Sequence, residues 1–167
     1  MKTACVAITL SLLMASAIPC PGLEAPATRS ISVMRPGDGL GDIVLGDSIP
    51  GVIKKMNDRK PDEGQTVKFG ATAEYWLSYT DLGITFIFDE KKELIRIAVK
   101  NPGIIVQQSG LRVNGTVMDL DREYGKGEQT RLDDLYDQKV YRDRGIAFTI
   151  NRKTERIETI TIQSRGR

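Results

Sequence analysis

The sequence predicts an α+β fold built as two tandem repeats, each a short helix packed on an antiparallel β-meander. Two recurrences and a hydropathy pattern carry that prediction. Tyr79-Thr80-Asp81-Leu82-Gly83-Ile84-Thr85-Phe86 reads Y-x-D-x-G-I-x-F, and Tyr141 to Phe148 reads the same. Lys91 and Glu93 then recur as Lys153 and Glu155. The motif I-x-V-x-x-P-G occurs at Ile31–Gly37 and Ile97–Gly103, with a worn copy at Ile160–Gly166. Self-similarity at a fixed spacing marks one supersecondary unit used more than once. Between the motifs, one helical apolar stripe precedes three runs of alternating hydropathy, in each half.

Taken in order, Ile31–Met34 reads as a strand, followed by the turn-forming run Pro36-Gly37-Asp38-Gly39. Asp47 or Ser48 reads as an N-cap, with Ile49, Val52, Ile53 and Met56 on one helical face. Pro50 fits in the first turn, where its missing N–H costs little. Lys60–Gly70 reads as a polar loop. Strands are predicted at Glu74–Tyr79, Gly83–Phe88 and Leu94–Val99, joined by hairpin-length turns. In the second half a helix is predicted over Val117–Tyr124, a loop over Lys126–Asp134, and strands at Leu135–Arg142, Gly145–Asn151 and Arg156–Gln163. Gly83 and Gly145 sit at equivalent turn exits and read as positions needing positive φ or close backbone approach.

Alternation places Tyr75, Leu77, Tyr79, Ile84, Phe86, Phe88, Ile97 and Val99 on the core face of the first half. Tyr141, Ile146, Phe148, Ile150, Ile160 and Ile162 take that face in the second. The residues between them form the other face, which carries few of the Lys and Glu that a solvated sheet face usually shows. Trp76, the one tryptophan, lies there, with Arg96, Ile87 and Thr85. Arg142 and Thr149 follow in the second half. Trp and Arg are the side chains most enriched in binding hot spots, so these six residues are the candidate partner-binding set.

The run Ile43-x-Leu45-Gly46-Asp47-Ser48-x-x-x-Val52, with an aromatic strand and the G-I-x-F hairpin behind it, resembles the helix-plus-sheet module of the BamE (SmpA/OmlA) envelope lipoproteins. Tandem use of that unit resembles the β-lactamase inhibitor protein fold. The resemblance spans most of residues 31–166 and implies a non-catalytic, exported binding module. It transfers no binding residue. The chain departs from the lipoproteins in carrying two modules and in the residue before Cys20, which is Pro19.

The N-terminus reads as a signal peptide over residues 1–17. Lys2 supplies the positive start, Ala4–Met14 an apolar run too short to span a bilayer, and Ala15-Ser16-Ala17 a cleavage site. Residues 18–30 read as a flexible Pro-rich linker, residues 31–100 as the first module and 101–166 as the second. Location is expected to be periplasmic or secreted; lipid anchoring through Cys20 is the alternative, disfavoured because Pro19 departs from the small residue that lipidation prefers. Cys5 would leave with the signal, so no internal disulfide is expected.

The chain has 24 Lys and Arg against 22 Asp and Glu, interspersed, and no basic stripe of the kind that neutralises a phosphate backbone. Nucleic acid is therefore not an expected partner, and no segment of the mature chain is apolar enough to span a membrane. The chain has no histidine, which removes Ser-His-Asp and Cys-His chemistry and the commonest zinc ligand. Asp119-x-Asp121-x-Glu123 begins like a calcium loop, but the sixth and twelfth positions hold Tyr124 and Thr130. No metal or cofactor is expected. The reading from sequence is an exported non-catalytic protein that holds a protein or cell-envelope partner on a sheet surface. The alternatives are an enzyme using carboxylates or a metal, and a purely structural envelope component.

Overall fold

The computed structural model describes residues 31–166; the expected signal peptide, the linker and Cys20 lie outside the described residues. The fold is α+β. One large antiparallel sheet takes eight strands in the order β4-β5-β6-β7-β12-β11-β10-β9. Its first half is the meander β4 (Glu63–Phe69), β5 (Thr72–Tyr79), β6 (Ile84–Phe88) and β7 (Leu94–Val99). Its second is β9 (Glu128–Arg131), β10 (Tyr136–Tyr141), β11 (Ile146–Asn151) and β12 (Arg156–Gln163). The halves meet where β7 pairs with β12, Ile97 opposite Ile162, Ala98 opposite Thr161 and Val99 opposite Ile160.

Two expectations are corrected. Lys60–Gly70 and Lys126–Asp134 are not wholly loops: they contain β4 and β9, the outermost strands. Each meander therefore has four strands rather than three. Both were missed for one reason. A strand at the edge of a sheet buries neither face, so its residues stay polar and show no alternation; every residue of β9 is exposed, and β4 is exposed except at Val67.

Helix α1 (Ile49–Lys55) starts at Ser48, whose hydroxyl accepts from Gly51 N, with Pro50 in the first turn and Lys54 and Lys55 near its negative end. Helix α2 (Val117–Tyr124) is capped by Thr116, which accepts from Asp119 N at 3.1 Å while its own Oγ1 donates to Asp119 Oδ2 at 2.7 Å. That reciprocal pair holds the Asp119 carboxyl below the usual carboxylate range. Val52 and Leu120 press the two helices onto the sheet. A second, small sheet has the order β3-β2-β1-β8, with β1 (Val33–Arg35), β2 (Gly39–Leu40), β3 (Ile43–Val44) and β8 (Ile105–Val106). Its strand β1 runs parallel to β8, so residues from both sides of position 100 build it. The copy of I-x-V-x-x-P-G at Ile31 thus begins this small sheet, whereas the copy at Ile97 begins within β7 of the large one.

One apolar cluster joins the helices, the small sheet and the six inner strands of the large sheet. Met34, Leu40, Ile43, Val52, Val106 and Leu120 share it with Tyr79, Phe86, Phe88, Tyr141, Ile146 and Phe148. Phe86 and Phe148 are both 0% exposed. Helices and small sheet therefore cover one face of the large sheet. The glycines at the hairpin exits are under both expected constraints. Gly145 has φ +65°, and a Cβ there would lie 2.5 Å from Gly37 Cα and from the Gln163 carbonyl oxygen. Gly37 N donates to Gly145 O across that contact at 3.1 Å, which pins the N-terminal turn to the second meander.

Candidate functional site

The other face of the large sheet carries no element among the described residues. Two buried apolar side chains, Ile87 and Ala147, stand outside the core cluster and belong to this second face. Strand register builds the face in rows. One row runs Gln65, Trp76, Ile87, Arg96, Gln163. The next runs Glu63, Ser78, Thr85, Ala98, Thr161, Ala147, Val140, Glu128, and holds no charge between its two outer carboxylates. Small and β-branched residues fill that band, so the face is shallow across six strands.

Trp76, Ile87 and Arg96 stand side by side on β5, β6 and β7. Glu74, two residues before Trp76 on the same face, ties them together. Its carboxylate accepts from Trp76 Nε1 at 3.1 Å and from Arg96 Nη2 at 2.5 Å. Arg96 Nε is buried and, among the described residues, has no hydrogen-bond partner. Ile87 is 5% exposed. It is the floor of the cluster. Thr85 lies one row away and shares a 3.2 Å hydrogen bond with Ser78. Glu74 was not singled out from sequence, although its spacing of two from Trp76 on a strand puts it on the same face.

The remaining two candidates are not brought to this cluster. Thr149 is on the same face of β11, opposite Thr159, four strands from β5. Arg142 is not in a strand. It opens a 3-10 turn, Arg142–Arg144, five strands from β5, about 24 Å at the usual strand spacing. There Arg142 Nε donates to Glu128 Oε2 at 2.9 Å, and the two exposed charges hold each other ionised: the Glu128 pKa is lowered and that of Arg142 raised.

Two concavities lie away from the Trp76 cluster. A polar groove of about 680 Å³ opens beside the Gly37–Gly145 contact, where the Arg144 guanidinium lies 4.7 Å from the centroid of the Tyr124 ring. A hollow of about 470 Å³ lies between α2 and the β9–β11 end of the sheet. Among the described residues no three carboxylates or thiols converge as metal ligands, and no helix is long and apolar enough to cross a membrane.

No family model and no curated protein matches the chain. Two solved structures are similar in fold. The uncharacterized protein YfeY from Escherichia coli matches with a TM-score of 0.55 at 11% identity, over 80% of this chain and 99% of that one. An extracellular protein containing a SCP domain, from Bacillus anthracis str. Ames, matches with a TM-score of 0.52 at 12% identity. That match covers 72% of this chain and 44% of the Bacillus protein, so the chain spans less than half of it.

Proposed function

We propose that the chain is an exported, non-catalytic binding protein, made of two copies of one helix-plus-meander unit, that holds a protein partner of the cell envelope on the uncovered sheet face. The observation that carries this reading is the uncharged band from Ser78 to Val140 with the Trp76–Glu74–Arg96 cluster at its side. An antiparallel sheet left to water usually alternates apolar with charged residues. Here the band is threonine, alanine, serine and valine, with Trp76, Glu74 and Arg96 clustered beside its first half. A partner would rest on the flat band and anchor on Trp76, offering an oxygen acceptor to Arg96.

The repeat reading rests on paired details. The approach to each helix bonds to the last strand of its own meander in one way: Gly46 N to Leu94 O and Leu94 N to Asp47 O, then Asn114 N to Ile157 O and Ile157 N to Gly115 O. The register of each third strand slips at one position, between Ile87 and Phe88 and between Thr149 and Ile150. Export is supported by the apolar N-terminal run and by the likeness to an extracellular protein.

The test is quantitative capture from envelope extract by the immobilised protein and by Trp76→Ala and Thr161→Lys. Trp76→Ala should weaken retention of the partner by about 2 kcal/mol, roughly thirtyfold. Thr161→Lys should abolish retention by placing a charge in the centre of the band. Equal retention by all three proteins would move the site off this face.

A further inference from the structure

The two halves differ sharply in one place. Leu77 stands two residues before Tyr79, and its partner position, two before Tyr141, is Lys139. Leu77 packs against the core. Lys139 is 8% exposed, and its Nζ lies 2.5 Å from Asp121 Oδ1 on α2. Likewise Tyr75 packs against the core in the first half, while Asp137 takes the matching place in the second. The Lys139 end of this pair is buried while the Asp121 side chain is 43% exposed, so the pair is partly solvated and contributes little to stability. The first half shows that this fold accommodates the apolar solution.

Lys139, Asp121 and Asp137 line the hollow of about 470 Å³. Its wall alternates in character. Gln129 Nε2 donates to Asp137 Oδ2 at 3.0 Å, and Arg152 Nε lies 3.6 Å from Asp137 Oδ1. Glu155 stands at the rim, Ile150 and Val117 form an apolar side, and Met118, 78% exposed, overhangs it. Among the described residues Asp121 is the one hydrogen-bond partner of Lys139, and an ammonium carries three donors.

We propose that this hollow binds a saccharide through its hydroxyl groups. A simple anion entering it meets Asp121, Asp137 and Glu155; a simple cation meets Lys139 and Arg152. A hydroxyl donates and accepts at once, so a ring bearing neighbouring hydroxyls satisfies carboxylate and cation in turn. Its C–H face matches Ile150, Val117 and Met118. The site lies on the helix-bearing side of the sheet, away from Trp76, and does not depend on the reading of the open face.

The experiment is an amide NMR titration of the protein with glucose, maltotriose and the trimer of N-acetylglucosamine. At least one sugar should shift Gln129, Lys139 and Ile150 together and saturate at ~mM concentration. Lys139→Met should lose that response at least tenfold with the fold kept, since the Asp121 side chain, 43% exposed, is solvated by water when its partner is removed. Arg152→Gln and Asp137→Asn, at more exposed positions, should each weaken it several-fold with the fold intact. Trp76→Ala should leave it unchanged. Silence at these residues with all three sugars overturns the proposal. So does an undiminished response in Arg152→Gln and Asp137→Asn, or saturation by glycine betaine in place of the sugars.

Discussion

Tyr79 and Tyr141 show how a repeated residue is used at the scale of one side chain. Each closes the core and turns its hydroxyl out to a backbone carbonyl, Arg59 O at 3.0 Å and Gly125 O at 2.9 Å. Burial pushes both phenols up, Tyr141 to about 12, where the nearby Asp121 carboxylate adds to the effect. A phenol whose folded pKa is raised stabilises the fold fully below its unfolded value, and loses that contribution as pH climbs through the folded value. Alkaline unfolding is therefore expected between pH 10 and about 12. The melting temperature should fall across that window, and tyrosinate absorbance should rise together with loss of structure. A melting temperature that is level to pH 12 would show that Tyr141 ionises in the folded protein at no cost.

At the scale of elements, the turn between β10 and β11 is a tight junction. Gly145 combines a left-handed backbone with the close approach of Gly37. Its counterpart Gly83 has φ +62°, and a Cβ there would meet Asn101 N at 3.0 Å. A left-handed non-glycine residue costs of order 1–3 kcal/mol, and Gly145→Ala adds a backbone collision to that. Gly145→Ala should accordingly destabilise by about 3 kcal/mol or more, and by at least ~1 kcal/mol beyond Gly83→Ala, in urea unfolding. Equal losses would mean that the N-terminal turn separates easily from the second meander. The outer strands β4 and β9 follow a different rule. They are held by pairing to β5 and β10, so their side chains carry little of the core.

At the scale of the whole molecule, the β7–β12 seam, the β1–β8 pairing and the Gly37–Gly145 contact tie the two halves of the chain together. The core cluster is continuous across them. The halves should therefore unfold as one. Trp76 lies in the first half, so its fluorescence reports there, while far-ultraviolet dichroism reports on both. The two transitions in urea should coincide in midpoint and slope. A fluorescence transition displaced from the dichroism would establish separate units. Each unit alone would expose an edge of Ile97 and Val99, or of Ile160 and Ile162, which is the physical reason to expect joint unfolding.

Much of this was legible in the chain. Alternation placed Phe86, Phe148, Ile97 and Ile160 on the buried face, because side chains on a strand alternate regardless of context and water sorts them. Asp47 or Ser48 marked the start of the first helix, and Ser48 is the cap, since capping is a local interaction; Thr116 was not singled out. Trp76 and Arg96 were placed on one face by the same parity. The tertiary structure alone decided the rest. β4 and β9 become strands only because a neighbour offers them a ladder of hydrogen bonds. Arg142 follows a strand pattern but falls in a turn, 24 Å or so by strand spacing from Trp76, because the Gly145 junction takes up the end of β10. Glu74, Lys139 and Asp121 acquire their meaning from partners distant in sequence, and local periodicity carries no information about which distant residues meet.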